Sequence, residues 1–131
     1  MAIQYSTTHR SNAMTQLNTD IGANAQIMIY TGSPPANVGT APTGTLLVQF
    51  AGNAGGFGTV TTGVLTASAV ASVNAGNSGS AGYFRINTSG GTAVVQGTVG
   101  TSGTDMIVTN TSINSGQTCN FTSLTVTAFG A

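Results

Sequence analysis

The stretch YFRIN, Tyr83–Asn87, followed by TAVVQGTV, Thr92–Val99, decides the fold class. In the first, Phe84 and Ile86 face one way and Tyr83 and Arg85 the other, the two-residue period of a β-strand. In the second, Ala93, Val95, Gly97 and Val99 share a face. The residues between, Asn87–Gly91, are Asn, Thr, Ser and Gly, which make a turn. Two strands joined by a short polar turn predict an antiparallel pair.

Working outward, the same signal recurs. QIMIYT (Gln26–Thr31) is apolar on both faces, as a strand covered by a helix or a second sheet would be. TLLVQF (Thr45–Phe50) alternates, and TVTTGVLTA (Thr59–Ala67) reads as a hairpin turning at Thr62-Gly63. A short strand at Ala69–Val73, one at Met106–Thr111 and a last one at Thr118–Phe129 complete the set. About eight short strands with turn signals roughly every 8–12 residues predict an all-β, antiparallel sandwich or barrel, with a jelly-roll-like sandwich as the natural solution. The loop Thr31–Gly44 holds all three prolines, Pro34 and Pro35 among them.

One helix is expected, over residues 7–21, with Ser6, Thr7 or Thr8 as its cap and Gly22 as its end. Ala13, Met14, Leu17 and Ile21 form its apolar stripe. A chain of 131 residues makes one compact domain. It divides into an N-terminal arm and helix, 1–22, and a β-domain, 23–131.

Charge is the anomaly. Ordinary domains are about 25% charged, and this chain is 3% charged, with Arg10, Arg85, Asp20 and Asp105 and a formal net charge of zero. No lysine is present to protect sheet edges. Either bulges and glycines spoil the edges, or neighbouring copies cover them. A neutral Thr/Ser/Asn surface without colloidal repulsion favours association. Two isolated arginines cannot neutralise a nucleic-acid backbone or dock on an acidic membrane, so neither is an expected partner. The N-terminus, MAIQYSTTHRSNAMTQL, lacks the basic region and apolar run of a secretory leader, which predicts synthesis in the cytoplasm.

The inventory for chemistry is thin. His9 is the single imidazole, so a nucleophile–base pair has one possible base, in the first turn of the helix beside Arg10. Asp20 and Asp105 are the two carboxyls available to a glycosidase. Asp105 has no second acid nearby for calcium, and Cys119 is alone, as a buried small strand residue would be. The glycine runs GNSGSAG and GTVGTSG carry no Gly-Lys-Ser/Thr and open no helix. No enzyme, cofactor or metal is expected. Arg85, mid-strand in a nearly chargeless chain, needs a partner if buried. Asp105 is the preferred one, Asp20 the other, and a solvated outer position the alternative.

IYTGSPPANVGTAPTGTLLV (Ile29–Val48), with GYFRIN and AVVQGTVGTSGTDMIVTNTSINSGQT within Gly82–Thr118, resembles small Gly/Thr/Ala-rich virion proteins of tailed bacteriophages over residues 26–129. The resemblance implies a head or tail structural protein, with capsid decoration, or cement, as the leading role. Such proteins are often jelly rolls or sandwiches that clamp neighbouring major capsid subunits. The expected partners are the major capsid protein and other copies of the chain, a trimer being one arrangement, and the expected location is the virion. The candidate contacts are Ala13, Met14, Leu17 and Ile21 on the helix and Pro34 and Pro35 in the loop. A tail, collar or fibre module is the alternative, and a carbohydrate-binding module without tryptophan comes behind it.

Overall fold

The structure is a computed structural model describing residues 3–130. Helix α1 spans Thr7–Ile21. Ser6 is its cap: the Ser6 hydroxyl accepts the His9 N–H at 3.1 Å, removing one of the orphan donors of the first turn. Gly22 ends the helix at φ 74°, where its N–H reaches back to the Asn18 carbonyl. Ile21 is buried, and Met14 and Leu17 pack on the core, so this face joins the β-domain in one hydrophobic cluster.

Eleven strands follow: β1 Gln26–Thr31, β2 Leu46–Ala51, β3 Gly58–Thr61, β4 Val64–Ala67, β5 Val73–Asn74, β6 Gly79–Asn87, β7 Ala93–Gly100, β8 Met106–Ile107, β9 Ser112–Ile113, β10 Thr118–Cys119 and β11 Ser123–Thr127. Nine of them form one sheet in the order β2-β1-β6-β7-β8-β11-β4-β3, with β9 on β6, while β10 and β5 pair separately. The β6–β7 pair is antiparallel, as YFRIN and TAVVQGTV predict. β7 and β8 run parallel.

The protein is therefore mostly β with one N-terminal helix, but the sheet is mixed and strongly curled, a half-barrel rather than a clear sandwich. Bulges explain part of the difference. Register shifts fall at Ile29/Tyr30, Tyr30/Thr31 and Ile86/Asn87, and each adds local bend and twist. A sheet that bends this much closes over its own concave side. The core there is Ile27, Ile29, Phe50, Phe84, Ile86, Leu65, Met106 and Leu124, all nearly inaccessible.

Two further expectations fail for local reasons. The strand expected over Thr118–Phe129 is two strands in two sheets. Asn120 separates them, its Oδ1 taking the Phe121 N–H at 2.9 Å and its Nδ2 bonding the Val70 carbonyl at 3.1 Å. The strand expected at Ala69–Val73 is only Val73–Asn74. The double-sided burial of β1 is also met differently. Neither the helix nor a second sheet covers Met28 and Tyr30. The loop after β1 does so, as described below.

The edges are blocked at particular positions from within. On β3, the Asn18 side chain accepts the Gly58 N–H and donates to the Gly58 carbonyl, both at 3.1 Å. On β2, the Gly76 N–H reaches the Leu47 carbonyl and Asn77 Nδ2 the Leu46 carbonyl, both at 2.9 Å. β8 pairs only Val99 and Gly100 of β7, and just before them the Thr98 N–H is taken by the Asp105 carboxylate at 3.3 Å. Gly97 leaves room for that carboxylate, since a Cβ there would stand 2.7 Å from Asp105 Oδ2.

The β3–β4 hairpin turns at Thr62-Gly63, with positive φ at both residues (47° and 79°). This tight two-residue turn wants Asn or Gly first, and a β-branched residue is strained there. Thr62→Asn should raise stability by about 1 kcal/mol, read as a higher urea midpoint with an unchanged slope.

Candidate functional site

The six candidate contact residues separate. Ile21 is 1% exposed and belongs to the core, so it is no contact residue. Leu17 packs on the same core. Ala13 and Met14 line a groove. Pro34 and Pro35 are half-buried in the loop between β1 and β2.

The groove lies where the two chain ends meet. The Tyr5 N–H donates to the Gly130 carbonyl at 2.6 Å, laying the segment before α1 against the segment after β11. Ala13, Met14 and Ala128 line it together with Tyr5, His9, Arg10 and Phe129, around about 140 Å³. The Tyr5 ring sits 5.0 Å from His9 and 6.3 Å, edge-on, from Phe129. Phe129 is 85% exposed and Ile3 73%. Arg10 Nε donates to the Tyr5 carbonyl and Nη2 to the Thr7 hydroxyl. This is an apolar, aromatic-walled hollow with a cation at its rim.

The second feature is the loop of residues 32–45, a strap folded over the convex face of the sheet. Beneath it Met28, Tyr30 and Tyr83 form a small second cluster, with the two tyrosine rings stacked at 5.1 Å. Tyr83 Oη accepts the Thr43 N–H at 3.1 Å and donates to the Thr43 carbonyl at 2.7 Å. Arg85 is 3% exposed. Its Nη1 donates to the Thr40 carbonyl at 2.7 Å and its Nη2 to Gln96 Oε1 at 2.8 Å. Gln96, opposite Arg85 on β7, passes the link on by donating to the Pro35 carbonyl at 2.9 Å.

The expected ion pair is thus replaced. Asp105 is exposed and held at the edge of β7 by Thr98, and Asp20 accepts from Gln16 on the helix. Neither meets Arg85. The face that Arg85 occupies is the one the strap covers, and strap carbonyls supply acceptors there without an ionised partner. Arg85 Nε and Asn87 Oδ1 are left buried without a protein partner, which costs stability on this face.

Burial pushes the Tyr30 phenol above its ordinary value of 10.0; Tyr83 adds to the rise and Arg85 opposes it. Burial likewise pushes the Cys119 thiol up, away from the thiolate form a nucleophile needs. Among the described residues no three His, Cys, Asp or Glu side chains come together for a metal ion. His9 faces Tyr5, and no described carboxylate orients it as a base.

The groove escapes a reading by periodicity because its walls lie outside the helix and strands, at Tyr5 and Phe129. No family model, no curated protein and no solved structure matches this chain.

Two outcomes test the strap. Arg85→Ala should speed hydrogen exchange at the Thr43 and Thr45 amides about tenfold, the equivalent of losing one hydrogen bond, with core amides of β6 much less affected. For Tyr30, folded and unfolded chains both keep the proton below pH 10.0, and the full stability is present. Above that value the unfolded chain ionises first, so stability falls as pH rises through the folded value. A urea midpoint that declines above about pH 10, and declines less steeply in Tyr30→Phe, is the expected result.

Proposed function

We propose that the protein is a non-enzymatic structural component of a phage virion, a decoration or cement protein that binds the outer shell and stabilises contacts between major capsid subunits. One observation carries this reading: the exposed aromatic groove of Tyr5, Ala13, Met14 and Phe129, on a chain that is otherwise a neutral Thr/Ser/Asn surface. Exposed apolar groups gathered at one end mark a contact surface. The reading does not depend on two stacked sheets, because a curled sheet packed on one hydrophobic core also presents a fixed surface. Many weak contacts repeated over a lattice hold such a protein in place.

Particles purified from cells expressing the source genome should contain this chain in simple ratio to the most abundant shell protein. A handful of copies per particle would instead indicate a tail, collar or fibre module, and complete absence would end the virion reading. Added back to particles that lack the chain, Phe129→Ser should bind about tenfold more weakly than the unaltered protein, as expected for an exposed aromatic anchor.

A further inference from the structure

The groove has an electrostatic asymmetry that narrows what can sit in it. Of the two arginines, Arg85 is buried under the strap and Arg10 stands at the groove. The side-chain bonds of Arg10 go to the Tyr5 carbonyl and the Thr7 hydroxyl, both neutral. Its Nη1 has no hydrogen-bond acceptor among the described residues. The two acids are elsewhere. Asp20 is ten residues further along α1, about 15 Å by helix rise, and Asp105 is bound at the edge of β7. The lining combines Ala13, Met14, Ala128, two aromatic walls and one imidazole, with no carboxylate among the described residues.

We infer that the groove takes an apolar side chain of a partner polypeptide that is followed or preceded by a carboxylate, the side chain filling the hollow and the carboxylate pairing with Arg10. The volume suits one side chain; cofactor and drug-sized pockets start at about 300 Å³. A second copy of this chain fits less well. Two grooves face to face would bring two Arg10 guanidinium groups together with no acid to separate them. An acidic, apolar segment on another protein supplies the charge, and the guanidinium donors that Tyr5 and Thr7 leave unused receive the carboxylate.

This inference rests on the reading of this end as the contact surface, but its test uses peptides and no particles, so it can fail while the copy-number result stands. The full chain, labelled for nuclear magnetic resonance, is titrated with acetyl-Phe-Asp-amide and with its isosteric neutral partner, acetyl-Phe-Asn-amide. Binding is expected in the millimolar range for ligands this small. Shifts should concentrate at Tyr5, Ala13, Met14, Ala128 and Phe129, and the acidic peptide should bind about threefold tighter at low salt. Arg10→Gln, with its amide dispersion as the check on folding, should bring the two peptides to equal affinity. Raising salt about tenfold should do the same for the unaltered protein, so the result does not depend on the variant folding. Equal affinities in the unaltered protein at low salt, or shifts outside the groove, would overturn the assignment.

Discussion

Side-chain amides bonded to backbone carbonyls fasten the edges and loops of this structure where other proteins use charge. Asn18 closes the edge of β3, Asn77 that of β2, Asn53 and Asn120 fasten the segment around Ala69 and Val70, and Gln96 ties the strap. An amide offers a donor and an acceptor at once, so one residue satisfies both backbone groups at Gly58. Lysine protects an edge by repulsion and solvation. An amide protects it by occupying the hydrogen bonds a foreign strand would need. A chain with two acids and two arginines thus has another means of blocking edge positions.

The same constraint shapes the convex face. Covering a sheet with a loop of small and proline residues gives little apolar area, and only Met28, Tyr30, Tyr83 and part of Leu46 pack there. The strap depends instead on directional bonds from Tyr83, Arg85 and Gln96. A buried guanidinium without an acid is costly in general, and here two neutral acceptors, the Thr40 carbonyl and Gln96 Oε1, share the burden. The strap is thus fixed by a few polar contacts, whereas the concave side is fixed by many apolar ones. Stability is correspondingly uneven across the molecule.

Much of this was legible in the sequence, and the illegible parts have identifiable causes. The helix, its Gly22 end, the Thr62-Gly63 hairpin and the β6–β7 pair follow from period and turn chemistry, which act over a few residues. The sandwich expectation failed because pairing order and bulges are long-range properties: nothing near Met106 announces that β8 will run parallel to β7. Arg85 was recognised as a residue in need of partners, but the choice between a carboxylate and loop carbonyls depends on where residues 32–45 fold. For the groove, Ala13 and Met14 were visible as a stripe, while Tyr5 and Phe129 lie in irregular segments that no periodicity marks. Ile21 differs from its expected contact role for the opposite reason, since a stripe shows which side is apolar and not how deeply each residue is buried.

The Asn18 clamp has a consequence on a slower timescale. Its function depends on the nitrogen and oxygen of one carboxamide holding opposite roles against the same glycine. Hydrolysis to a carboxylate would replace a donor by an acceptor facing the Gly58 carbonyl and would add a negative charge at a strand edge. The long-term durability of β3, and its resistance to pairing with other chains, is thereby tied to the chemical ageing of a single side chain rather than to the thermodynamics of the fold.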